Sequence, residues 1–308
     1  MAKTKQVADP GFGRTSAENV QRFVNKDGTF NIKHINHKNQ ITNTFSYLID
    51  ISWPRFFLLI FLGYVVINSV FAIIYLLIGL QHLNGATGNM FYDFLNAFFF
   101  SAQTITTVGY GKMSPSGTLA GVISTIQALV GLLSFSFITG LLYGRFAKPR
   151  SFVKFSEKII HRPFNGGTAI MFRIMNMKKT VMLQPKITVT LSLLDKDDDG
   201  YKSRFFKLAL EREQISYLPT TWTIVHEIKE ESPLFGYSRE ELKKLKGEFI
   251  VLATYFDESF NQDVHRVYSY TLEEISFDRI FDKAFEFDGE GVIVLDHEKL
   301  NRTNSINS

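Results

Sequence analysis

Residues 105–113 read ITTVGYGKM, and the chemistry on offer there belongs to the backbone. Gly109 and Gly111 alternate with Val108 and Tyr110, and glycine accepts conformations that other residues resist. With such alternation, successive carbonyl oxygens can all face one way. Four copies around an axis would stack these oxygens into rings able to replace the hydration shell of a cation. One copy per chain requires assembly, so the expected state is a homotetramer.

No other stretch offers comparable chemistry. Cysteine is absent, which excludes disulfides, thiolate nucleophiles and Cys-based metal sites. The histidines at 34, 37, 82, 161, 226, 265 and 297 lack ligand spacing and have no adjacent nucleophile. DKDDDG, Asp195 to Gly200, matches the first half of an EF-hand loop, but Phe206 stands where the twelfth-position Glu belongs. Its flanks read as strands, so a solvated hairpin turn is the better reading. NRT at Asn301 matches a glycosylation acceptor but falls on a segment that the topology below keeps inside. No enzyme constellation emerges and no cofactor is expected. A formal net charge of +4 is too small to suggest nucleic acid.

A backbone site of this kind needs a membrane around it. From Phe56 to Leu80 there is no charge, nor is there from Met113 to Gly144. Each run exceeds the roughly 20 residues that a helix needs to cross a bilayer core. The first begins too far into the chain, and is too long, for a signal peptide. Residues 1–55 carry eight Lys/Arg, the last being Arg55, and Arg145, Lys148, Arg150, Lys154 and Lys158 follow the second run. Between the runs, residues 81–118 hold only Lys112. The positive-inside rule then places both termini in the cytoplasm. Phe91 to Thr106 is helix-compatible but too short to span, so a re-entrant helix is expected, with Asp93 near its positive end. Irregular backbone at membrane depth is tolerated only where it lines a polar cavity or is packed in protein.

Beyond Pro149 the character changes. Residues 151–308 hold 22 Lys/Arg and 25 Asp/Glu, with short alternating runs. In KITVTLSLL, Ile187, Val189, Leu191 and Leu193 share one face, and Thr188, Thr190 and Ser192 the other. Seven or more such strands suggest an all-β sandwich. Before the first span, Ile41, Phe45, Leu48, Ile49 and Trp53 form an apolar stripe consistent with an interfacial helix that Pro54 would end. Ordinary packing on the cytoplasmic domain is the alternative for that stripe. Residues 1–40, and the tail from about Lys299, read as polar and poorly ordered.

Thr107 to Gly111 spell the TVGYG sequence of potassium-channel filters, and that resemblance implies that the carbonyls of Thr107, Val108, Gly109 and Tyr110 are the ion ligands, with the Thr107 hydroxyl at the inner end and Val108 and the Tyr110 ring pointing outward to brace the filter. Together with SWP, RFAKPR, RPFNGG, SPLFG and YSYTLEEI in that order, this motif makes the chain resemble prokaryotic inward-rectifier potassium channels, the KirBac family, over roughly residues 40–290. The resemblance implies an α-helical membrane domain joined to an immunoglobulin-like β-sandwich. The expected layout is a polar segment 1–40, a slide helix 41–53 and a pore domain 54–148. Within the pore domain it implies an outer helix 56–80, pore helix 91–106, filter 107–111 and inner helix 117–146. A cytoplasmic sandwich 149–298 and a polar tail 299–308 follow. The implied location is the plasma or inner membrane.

The resemblance also implies residue roles. Tyr143 matches the inner-helix aromatic that narrows the pore and gates by dewetting; anchoring at the interface is the alternative. Gly131 and Gly140 are candidate bending or close-packing points. Phe135 stands where strongly rectifying relatives carry an acid facing the inner cavity, which argues against strong block by polyamines or Mg²⁺. Gln103 stands where animal relatives carry a Glu behind the filter. Phosphoinositide regulation is implied, with Arg55, Arg145, Lys148, Arg150 and Lys154 placed to meet anionic headgroups; positive-inside topology alone explains them equally well. The leading expectation is a passive, potassium-selective channel. A weakly selective cation channel would call for an altered filter, and a membrane-anchored binding module with a vestigial pore sits poorly with an intact one. A voltage-gated channel is excluded by the missing Arg-rich helix.

Overall fold

The computed structural model describes residues 6–17, 22–36, 41–83, 87–198 and 200–306, and divides into two units. One comprises residues 36–148 and the other joins residues 1–35 to residues 149–308.

The first unit is helical. Helix α1 (Ile41–Asp50) precedes α2 (Trp53–Ile78), α3 (Met90–Ile105) and α4 (Thr118–Ala147). At 26 and 30 residues, α2 and α4 are long enough to cross a bilayer, whereas the 16 residues of α3 are not. Little of either long helix is buried, and Phe57, Leu58, Phe61, Val66 and Val70 of α2 lie exposed. A core helix of a soluble protein would bury those side chains; here they need lipid or neighbouring chains. The interfacial helix is shorter than the apolar stripe predicts. It stops at Asp50, Ser52 is extended, and Trp53 and Pro54 open α2. Proline in a first helical turn forfeits only an N–H that has no helical partner, so Pro54 starts the span instead of ending the slide helix.

The second unit holds two five-stranded sheets. In the first, β3 (Gly167–Asn176) is central, with β7 (Thr221–Ile228) along one edge. β1 (Val153–Phe155) and β2 (Ile159–Phe164) share the other edge, and β10 (Ile275–Phe277) runs parallel to β2. The second sheet has the order β5-β4-β8-β9, formed by Gly200–Lys207, Met182–Asp197, Gly247–Asp257 and Gln262–Thr271, with β6 (Tyr217–Leu218) paired to β4. Ile170, Phe172 and Ile174 of β3 meet Ile187, Val189, Leu191 and Leu193 of β4 and Phe249, Val251 and Tyr255 of β8 in one core. That is a sandwich, and period-two alternation along β4 builds it. The DKDDDG segment is the β4–β5 hairpin, with Asp197 opposite Gly200. Among the described residues no cluster of His, Asp and Glu is suited to a metal ion.

Among the described residues, both polar ends depart from the expectation of poor order; residues 1–5, 18–21, 37–40 and 307–308 lie outside them. Val7 N donates to Phe205 O (3.0 Å), Ser16 N to Tyr201 O (2.9 Å) and Ser203 N to Arg14 O (2.8 Å). The edge strand β5 thus finds partners for backbone groups that would otherwise stand open. Deeper in, the buried Glu248 accepts from Phe23 N (2.5 Å) and Val24 N (3.1 Å), and Ser269 Oγ donates to Val24 O (2.6 Å). At the tail, β14 (Thr303–Ser305) pairs with β11 (Arg279–Phe281), and Leu300 is buried against Met175 and Ala284. A few apolar anchors, Phe12, Phe23, Val24 and Leu300, outweigh a polar average.

Candidate ion-conduction site

The stretch 107–111 hangs from the C-terminal end of α3. The helix starts on Asn89, whose Oδ1 accepts from Phe91 N (3.0 Å). Asp93, in its first turn, accepts from both Thr87 N and Thr87 Oγ1 at 2.7 Å, so the carboxylate also ties down the preceding loop. At the other end Thr107 N donates to Thr104 O (3.1 Å), and Gln103 O accepts from Val108 N (2.9 Å) and Gly109 N (3.4 Å). Two of the last carbonyls of the helix, those of Gln103 and Thr104, are thereby spent on the first turn of the filter. Thr107, Gly109 and Gly111 then take φ of 61°, 51° and 82°. Every second residue is left-handed, which is the alternation that aligned carbonyls need. Glycine alone cannot account for it. The β-branched Thr107 adopts a region that threonine rarely visits, a strain that sequence pattern does not reveal.

A buried polar chain lies behind this turn. Tyr75 Oη donates to Gln127 Oε1 (2.7 Å), and Gln127 Nε2 donates to Ser101 Oγ (2.6 Å) and Ser101 O (3.0 Å). Ser101 Oγ donates to Asn68 Oδ1 (2.7 Å), and Asn68 Nδ2 to Tyr64 O (2.8 Å). Tyr75, Gln127, Ser101 and Asn68 are each 0% exposed. These residues escaped the sequence reading, although single polar residues inside apolar runs were a signal that could have found them.

The remaining candidate residues lie on α2 and α4, just beyond α4 and, for Lys154, in β1. Gly131 packs against the end of α3, where a Cβ would fall 2.5 Å from Ile105 O; nothing lies within 4 Å of a Cβ on Gly140. Phe135 and Tyr143 are 71% and 75% exposed and share a face of α4 with Thr139. Arg145 is the clearest departure. It is 3% exposed, with its guanidinium donating to Leu48 O (2.6 Å), Ile49 O (3.0 Å) and Ile51 O (2.7 Å). Its Cζ lies 4.4 Å from the ring centres of both Trp53 and Phe56. Arg145 therefore caps α1 and is not available to a headgroup. Lys148 pairs with Asp50, while Arg55, Arg150 and Lys154 are exposed.

Residues 24–149 match the inward rectifier potassium channel transmembrane domain, and residues 153–308 the inward rectifier potassium channel C-terminal domain. The inward rectifier potassium channel Kirbac3.1 of Paramagnetospirillum magnetotacticum is 33% identical over 282 residues, covering 91% of this chain and 94% of that protein. ATP-sensitive inward rectifier potassium channel 12 of Gallus gallus is 28% identical over 330 residues, covering 97% and 76%, and that of Mus musculus 28% over 315 residues, covering 93% and 72%. Two apolar spans, a half-length helix ending in an alternating backbone and a β-sandwich define a membrane-integral ion channel, not an enzyme. The chain belongs to the inward rectifier potassium channel family and is of its prokaryotic, KirBac-like kind.

Proposed function

We propose that four copies of this chain surround one pore and pass K⁺ passively through stacked rings of the carbonyls of Thr107, Val108, Gly109 and Tyr110, with the Thr107 hydroxyl as the innermost ligand. The observation that carries this reading is the left-handed φ at Thr107, Gly109 and Gly111 directly beyond α3. Rings of that kind select by replacing hydration, and each chain supplies one quarter of every ring. The negative end of the α3 dipole adds a favourable field for a cation beside the innermost ring.

Tyr143 is the proposed gate: its exposed ring, repeated four times, would close the cytoplasmic end of the pore by excluding water. Phe135 offers no charge to a blocking polyamine, so rectification by cavity block is weak. Both termini face the cytoplasm, as the Lys/Arg flanks demand. Anionic headgroups, phosphoinositides among them, meet Arg55, Lys148, Arg150 and Lys154, each worth about 1 kcal/mol near such a surface. Arg145 leaves this set because it is spent on α1.

The test is Rb⁺ uptake into liposomes holding the purified protein, with Ba²⁺ block and Na⁺ competition. Uptake that Ba²⁺ stops and Na⁺ does not compete for is expected. Tyr143→Ala should raise uptake about tenfold without altering selectivity, as removal of a dewetted constriction does. Unchanged uptake in that variant would remove Tyr143 as the gate.

A further inference from the structure

The filter's position is only as well defined as that of α3. Inside a bilayer, apolar side chains gain little by leaving lipid for a neighbouring helix, so van der Waals fit and directional hydrogen bonds fix helix placement. The chain Tyr75→Gln127→Ser101→Asn68→Tyr64 O supplies those bonds and joins α2, α3 and α4. Each donor in it points the same way around, and each buried side chain has its partner. Breaking one link strands a polar group where water does not reach.

The geometry places this chain where it matters. Ser101 precedes by two residues Gln103, whose carbonyl holds Val108 N and Gly109 N. One turn beyond Gln127 on α4, Gly131 abuts Ile105 O. Gln127 and Gly131 therefore touch α3 at successive turns and bracket its last turn, the one from which the filter departs. The ring of Tyr75 also packs edge-on against Phe100, centres 5.1 Å apart, so removing only its hydroxyl leaves the packing in place.

We propose that Tyr75, Gln127, Ser101 and Asn68 are positioning residues for ion selectivity, setting the rotation and depth of α3 and through it the spacing of the filter carbonyls. The proposal rests on the conduction reading above. Wild type, Gln127→Leu and Tyr75→Phe would be reconstituted side by side, with tetramer content measured by sizing and Rb⁺ uptake measured per tetramer under Na⁺ competition. The expected result is intact tetramers whose relative Na⁺ permeability rises, about tenfold in Gln127→Leu and about threefold in Tyr75→Phe, in line with two links lost or one. Should Gln127→Leu fail to assemble, Tyr75→Phe decides alone. Wild-type selectivity in assembled Tyr75→Phe would overturn the proposal, as would a loss of uptake that merely follows loss of tetramer. A wild type without Ba²⁺-sensitive uptake would instead overturn the conduction reading, and the proposal with it.

Discussion

Arg145 and Gly131 show how far a residue's meaning depends on what folds around it. In sequence, Arg145 is one basic residue among several at the end of a span. In the fold its fork of donors closes the C-terminal end of α1 and lies against two aromatic rings that meet edge to face. Replacing it with Ala would free three carbonyls and cost about 3 kcal/mol. The check is a lowered thermal midpoint followed through the fluorescence of Trp53 in a Trp222→Phe background. Arg145→Lys should not restore it, because one ammonium cannot span the three acceptors. Gly131→Ala would force a methyl to within 2.5 Å of Ile105 O, whereas Gly140→Ala meets nothing. Overpacking of that kind costs about 1–3 kcal/mol. Rb⁺ uptake should therefore fall in the first variant and hold in the second; equal uptake in both would mean that the α3–α4 contact yields. The TVGYG residues could be read one by one from the sequence, and Gly131 as a close-packing point. The left-handed Thr107 could not, because threonine's preferences argue against it.

At the scale of elements, charge-free length made α2 and α4 legible, and period-two alternation made β4 legible. Both signals come from burial in a uniform environment, lipid in one case and a two-layer core in the other. Segments whose order depends on a partner were not legible. Residues 6–17 and 22–36 are polar on average, and they are held by an edge strand and, more than two hundred residues away, one carboxylate. Glu248→Ala should therefore loosen this segment while leaving the sandwich intact. Amide exchange at Phe23 and Val24 is expected to rise about tenfold, the equivalent of one charge-assisted bond. Protection equal to wild type would show that Ser269 and the Phe12–Phe23–Phe205 ring cluster suffice.

At the scale of the molecule, the β unit carries a pH dependence of its own. His226 is buried, with Nδ1 2.7 Å from Ala209 O and Nε2 2.8 Å from Ser232 Oγ. Burial lowers its pKa below the ordinary 6.5, more than Ala209 O and the Glu227 charge raise it. The unfolded chain therefore binds the extra proton first, and stability falls as pH drops below about 6.5 toward the lower folded value. His161 adds in the same direction, through burial and the nearby Arg239 charge, with Asp278 opposing. Thermal unfolding of the full chain carrying Trp53→Phe, followed by Trp222 in the strand that carries His226, should show a midpoint falling from pH 7.5 to pH 5.5. His226→Gln should flatten part of that slope. A slope unchanged in the variant would assign the effect to His161 and the carboxylates.

The pairing of the N-terminal segment with β5, β8 and β9 also has a consequence in time. Residues 22–24 leave the ribosome before either span, yet their partners Glu248 and Ser269 are at least 224 and 245 residues downstream. Through the whole of membrane insertion the segment has nothing to bind. Its docking must await synthesis of the second sheet, so this clasp closes only once β8 and β9 have been translated. A truncated product can insert both helices and still lack it. The clasp is therefore a mark of chains whose second sheet has been made.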